Sequence, residues 1–195
     1  MNQRFAIILL CISCLLISCS GAGERHRREN RNWHESAEAF IRDRINKPVL
    51  LPDSVSYMPQ HGKEVFDSVM NSAVKILFNV DIDCSTCLIK FNYWSNFVEE
   101  FYERHKVSVP ILSIINSSMP EVVEQEVGKY WEYGWIYDSK YAFLDKNMLH
   151  DDRFQAVLLD GTNSVLLIGN PMHNKVLSAL YEESIWNILQ KKENN

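Results

Sequence analysis

The spacing of apolar residues along positions 33–195 changes period several times, and each change marks an element. Trp33, Ala37, Phe40, Ile41 and Ile45 recur at helical spacing and predict a short amphipathic helix over 33–45, ended by Pro48. Val49-Leu50-Leu51 then predicts a short strand closed by Pro52. The next stretch is mixed: Val55 and Tyr57 fit a strand, Gln60-His61-Gly62 a turn, and 65–70 either helix or strand. Lys75 to Asp81 is unambiguous, an apolar and β-branched run that predicts a central strand. Straight after it the period becomes helical. Cys87, Leu88, Phe91, Trp94, Phe97, Val98 and Phe101 fall every three or four residues, one apolar face more than four turns long.

Val107 to Ile115 predicts the next buried strand. Met119 to Tyr133 reads as a helix, with Pro120 in its first turn, Glu121 at the favoured N-terminal end and Gly134 as its stop. Trp135-Ile136-Tyr137 predicts a short strand and 140–149 a short helix. Phe154 to Leu159, the turn Asp160-Gly161-Thr162-Asn163 and Ser164 to Ile168 predict a β-hairpin. A Gly-Asn-Pro turn follows, then a helix over 174–190 carrying Val176, Leu177, Leu180, Ile185 and Leu189. No repeat or low-complexity block occurs in this part of the chain.

The first 32 residues have a different character. Arg4 precedes an apolar stretch from Phe5 to Ile17 that is short for a membrane span, and Leu16-Ile17-Ser18-Cys19 resembles a bacterial lipobox. The reading is a signal peptide over 1–18, a lipidated Cys19, and a flexible tether over 19–32. Arg25, Arg27, Arg28 and Arg31 fit a solvated linker, the simpler reading, or contact with anionic headgroups. Cys11-Ile12-Ser13-Cys14 repeats a C-x-x-C spacing inside the segment to be removed. The expected location is the bacterial cell envelope, lipid-anchored and facing periplasm or exterior. The 195-residue chain then holds one folded domain over 33–195, with an extension over 33–72. Residues 32–195 carry 15 basic and 23 acidic side chains, which argues against a general nucleic-acid binder.

With Cys11, Cys14 and Cys19 set aside, Cys84 and Cys87 are the only cysteines of the domain. One close pair cannot staple a scaffold, but it can form a reactive dithiol. Its place between a strand and a helix matters, because the helix start presents unsatisfied N–H groups that favour a thiolate at Cys84. A thiolate near neutral pH attacks disulfides.

Strand, Cys84-Ser85-Thr86-Cys87, long helix, strand, helix, hairpin and closing helix resemble the thioredoxin fold over about 73–190. The closer likeness is to thioredoxin-like envelope lipoproteins related to the TlpA and ResA groups, carried by Phe154 to Asp160 and Leu167 to Asn174. The stretch 135–149 fits the insert of such proteins. The resemblance implies an α/β thioredoxin-like fold, a central mixed β-sheet flanked by helices with an N-terminal extension. It also implies a membrane-anchored thiol–disulfide oxidoreductase, without cofactor, acting on protein thiols or disulfides of the envelope. Cys84 would be the exposed attacking thiolate and Cys87 the buried resolving thiol. The sequence departs from the family pattern twice. The groove position that usually holds a cis-proline falls at about Phe154, where a trans peptide is expected. The buried acid six residues before the first cysteine corresponds to Phe78. Asp81 or Asp83 could assist proton transfer, or be solvated carboxylates at a strand end. His150 and His173 could complete a metal site only by converging on the cysteines, which no spacing indicates. The alternative from another class is a non-catalytic binding lipoprotein whose C-x-x-C is a static disulfide.

Overall fold

A strand with apolar side chains on both faces has to lie inside a sheet, because only an interior position covers both. The computed structural model describes residues 35–58, 62–84 and 88–193, and in it Val74–Asp81 is such a strand, β2, buried from Val74 to Val80. The chain divides into two compact units, residues 1–43 and 44–195. A helix, α1 (35–44), begins in the first. The second holds the sheet. In chain order it contains β1 (Ser56–Tyr57), α2 (Gly62–Met70), β2, α3 (Ile89–His105), β3 (Ile111–Asn116), α4 (Val123–Val127), β4 (Gly134–Tyr137), α5 (Ala142–Asn147), β5 (Ala156–Asp160), β6 (Val165–Ile168) and α6 (Lys175–Glu193).

Six strands form one sheet in the order β1-β4-β3-β2-β5-β6. β3 runs parallel to β2, with Phe78 opposite Ser113, and β4 runs parallel to β3. β5 is antiparallel to β2, placing Ala156 opposite Phe78, and β6 is antiparallel to β5. One face carries Val74, Ile76, Phe78 and Val80 of β2, which share a core with Phe91, Trp94, Phe97 and Phe101 of α3 and with Tyr181 and Ile185 of α6. α2 packs on the sheet against β1, β3 and β4. The mixed α/β architecture matches the expected fold class, as do β2, α3, the hairpin and the closing helix.

Three expected elements differ. Val49-Leu50-Leu51 is not a strand. Pro48 makes one isolated bridge to Ser164, Val49 N–H donates to the Asn163 carbonyl at 3.0 Å, and then the ladder stops. The Asn147 side chain takes over both backbone groups of Leu50, at 2.9 and 2.8 Å, between two prolines that leave little room for a ladder. The third buried strand begins at Ile111 rather than Val107, since Pro110 has no N–H to donate and lends only its carbonyl, to Ile76 at 2.9 Å. The helix expected over 119–133 is a 3₁₀ turn, Pro120–Val122, followed by the five residues of α4. It ends at Gly128, not Gly134, because Trp131 has to turn into the core. Trp131 stacks on Phe91 at 5.4 Å, meets Phe78 edge-on at 5.1 Å and donates its indole N–H to the Gly134 carbonyl at 3.1 Å. Gly134 belongs to β4 instead, where a Cβ would stand 2.6 Å from Val65.

Candidate active site

The topology gathers the cysteine loop and several others at one end of the sheet. β2, β3 and β4 are parallel, so their C-terminal ends coincide, while antiparallel β5 brings its N-terminal end there and β6 its C-terminal end. Cys84 lies in the β2–α3 loop at this end, half-buried, its N–H donating to the Asp81 carbonyl at 3.4 Å. Cys87, Ser85 and Thr86 lie outside the described residues, as do Cys19 and the leader and tether over 1–32. α3 begins at Ile89, with no side-chain cap on its first turn.

Both loop carboxylates are engaged. Asp81 accepts the Asp83 N–H at 3.0 Å on one oxygen and the Tyr141 hydroxyl at 3.3 Å on the other. Asp83 accepts the Ser117 hydroxyl and the Ser118 N–H, each at 2.6 Å. Those hydrogen bonds, Ser117 first, hold the Asp83 carboxyl below the usual carboxylate range. The two aspartates thus tie the cysteine loop to the segment after β3 and to the segment before α5. Tyr141 adopts a left-handed backbone at φ 55°. Desolvation, then the Asp81 charge, pushes its phenol up to about 12. Ser117, Ser118 and Tyr141 carried no signal in the sequence, because loop hydroxyls have no periodicity to betray them.

Phe78 stands where the resemblance places an acid, and its surroundings suit a ring only. It is 1% exposed, with Phe91, Trp94 and Trp131 centroids at 6.2, 5.5 and 5.1 Å. A buried charge comes instead from Lys90 in the first turn of α3, 7% exposed. Its Nζ donates to the Asn79 carbonyl at 3.2 Å and to Gln155 Oε1 at 2.9 Å. Phe154 is half-buried and ends a 3₁₀ turn, Asp152–Phe154, so it precedes the strand rather than opening it. The residue directly before β5 is Gln155, whose carbonyl accepts Asn79 N–H at 2.8 Å. Among the described residues no peptide bond is cis. The β6–α6 loop is fixed beside it by Asn170 N–H on the Arg153 carbonyl at 2.6 Å and the Tyr181 hydroxyl on the Gly169 carbonyl at 3.1 Å.

His150 is turned to Asp145, at 3.1 Å, on the exposed surface. Among the described residues no three His, Cys, Asp or Glu side chains converge as metal ligands. No helix among them is long and apolar enough to cross a membrane.

No family model matches this sequence, and no curated protein matches it. Solved structures do. A candidate protein disulfide isomerase from Bacteroides thetaiotaomicron aligns with a TM-score of 0.52 at 14% identity, covering 75% of this chain and 91% of that one. ScoI of Arabidopsis thaliana with copper bound aligns at 0.50 and 12% identity, over 73% and 99% of the two chains. Yeast Sco1 with copper bound gives 0.50 at 9% identity, over 73% and 92%. Likeness at such identity is a likeness of fold. Together with the sheet order and the strand–loop–helix carrying Cys84, it establishes that this chain has a thioredoxin-like fold.

Proposed function

We propose that the protein is a membrane-anchored thiol–disulfide oxidoreductase of the cell envelope that works through Cys84 and Cys87. The observation that carries this reading is the position of Cys84. It follows the central strand of a thioredoxin-like sheet and precedes a long helix, at the end where the loops after β3, β4 and β6 also lie. The disulfide-isomerase candidate of the same fold supports the same chemistry.

In the exchange, the Cys84 thiolate attacks one sulfur of a partner disulfide. An S–S bond forms to Cys84 and the partner's other sulfur leaves as thiolate. The Cys87 thiolate then attacks Cys84 Sγ, closing the Cys84–Cys87 disulfide and releasing the second partner thiolate. Two electrons pass to the partner; the reverse sequence oxidises a partner dithiol. Lipid on Cys19 holds the domain at the membrane in this account, so Cys19→Ala leaves the membrane fraction whereas Cys14→Ala stays.

A Cys87→Ser variant tests the exchange. With the resolving thiol gone, mixed disulfides to Cys84 persist and run as reducible high-mass bands, and adding Cys84→Ser abolishes them. A second reading, a binding module with a static Cys84–Cys87 disulfide, draws on the engagement of Asp81 and Asp83 in loop hydrogen bonds, which leaves neither poised as a proton relay. Absence of partner adducts in Cys87→Ser cells would favour it.

A further inference from the structure

Lys90 occupies a position that packing alone does not explain. It lies in the first turn of α3, where the helix dipole opposes a positive charge, and it is buried, where a charged side chain is costly. A methionine or leucine would suit that burial better. The ammonium is nevertheless held by two oxygens on two different strands' ends, the Asn79 carbonyl of β2 and the side-chain oxygen of Gln155 at the head of β5. These are the two strand ends that flank the Cys84 loop.

We infer that Lys90 is a positioning residue of the dithiol site, a buried cation that joins α3, β2 and β5 and favours the thiolate at Cys84. This rests on the oxidoreductase reading only for its purpose, since its effect on a thiol is measurable whether or not partners are turned over. Phe78 removes the acid from this wall and Lys90 supplies the opposite sign, so the local field stabilises an anion where an acid would repel it.

The distance is short enough to matter. Asn79 and Asp81 are two strand residues apart, about 7 Å. Lys90 Nζ lies 3.2 Å from the Asn79 carbonyl and Cys84 N–H reaches the Asp81 carbonyl at 3.4 Å. The ammonium is therefore within about 14 Å of the Cys84 backbone. At an effective dielectric near 20, a charge at that range shifts a thiol by about half to one pKa unit. Among the described residues, the other charged or titratable groups about the loop include Asp81 and Asp83, the Tyr141 phenol on Asp81, the Tyr137 phenol on the Ser117 carbonyl, and the Asp151–Arg153 pair of the turn before β5. The two loop aspartates oppose a thiolate, which makes Lys90 the counterweight.

The test uses the full chain as wild type, Lys90→Met, Lys90→Gln and Lys90→Arg. The alkylation rate of Cys84 against pH gives its pKa, and equilibration with glutathione gives the redox constant. Lys90→Met and Lys90→Gln are expected to raise the Cys84 pKa by about half to one unit. Equilibrated at a pH above the measured Cys84 pKa, they should also move the equilibrium three- to tenfold toward the disulfide, about 15 to 30 mV more reducing. Lys90→Arg is expected to keep both near wild type. Lys90→Gln retains a hydrogen-bond donor without charge, so it decides the matter if Lys90→Met fails to fold. A folded Lys90→Gln with wild-type pKa and redox constant overturns the inference. A shifted pKa in a protein that traps no partners supports Lys90's role while the oxidoreductase reading fails.

Discussion

Replacing Phe78 by Asp would restore the acid that the resemblance places in this wall, and the structure predicts that the domain will not tolerate it. Removing the ring from a site 1% exposed costs about 3–5 kcal/mol, as for other Phe truncations in cores. Contacts to Phe91, Trp94 and Trp131 go with it. The new carboxyl must then be buried. Ser113 sits opposite Phe78 in the register, and its hydroxyl is a buried group with no partner among the described residues. One hydrogen bond from Ser113 recovers about 1 kcal/mol of a desolvation cost of about 1–3 kcal/mol for the neutral acid. The total, about 3–7 kcal/mol, is comparable to the whole stability of a small domain. The sign of its pH dependence follows. A buried Asp has a folded pKa raised above its unfolded value of about 3.9. The folded state then binds more protons, and stability falls as pH rises from about 4. Urea unfolding at pH 5 and pH 7 measures this, with Phe78→Leu as a control losing about 2 kcal/mol at both. A Phe78→Asp protein as stable as wild type at pH 7, with no slope between the two, would refute the apolar account of this wall.

Three further outcomes follow from the same geometry. Tyr141 should resist ionisation until about pH 12, so a phenolate absorbance titration of Tyr141→Phe loses one late-titrating group; its loss near pH 10 instead would place Tyr141 in solvent. For Asp160, burial raises the pKa, but hydrogen bonds from Thr162 and Ser164 outweigh it and hold the carboxyl below the usual range. Its contribution is therefore present above the unfolded value and lost as pH falls below about 3.9. Asp160→Ala should cost about 1 kcal/mol at pH 7 and progressively less as the pH falls below about 3.9 in urea titrations. Gly169→Ala meets both a φ of 133° and a Leu177 carbon at 3.0 Å, and should lower stability by about 1–3 kcal/mol; a neutral result would mean the β6–α6 loop relaxes freely.

What the sequence made legible, and what it did not, divides along physical lines. β2 and α3 were readable because burial on two faces, or on one helical face, leaves a regular period that few other arrangements share. The hairpin was readable because Asp160 accepts from Thr162 and Ser164 within its own turn, a purely local device. The Met119–Tyr133 stretch misled because its apolar residues fit a helix locally, whereas Trp131 is claimed by Phe78 and Phe91 from other elements. Val49–Leu51 misled for a related reason: its backbone partner is a side chain, Asn147, almost a hundred residues away. In the site, the placement of Cys84 between strand and helix was legible from the change of period. The roles of Asp81 and Asp83 were not, since their partners Ser117, Ser118 and Tyr141 are brought to them by the parallel pairing of β2, β3 and β4. Lys90 left one faint trace, a cation in the first turn of a helix.

The central claim is that Cys84 and Cys87 form a redox-active pair rather than a fixed staple, and its reduction potential tests that most directly. The ring closed by four residues gains little chain entropy from its bond, so the disulfide has little reason to be strongly stabilising. Equilibration of the full chain with glutathione or dithiothreitol, read by alkylation and mass, is expected to give a potential well above about −300 mV with little change in melting temperature on reduction. A potential below that value, with a large fall in melting temperature when the bond is reduced, would contradict the account and leave the pair a structural disulfide.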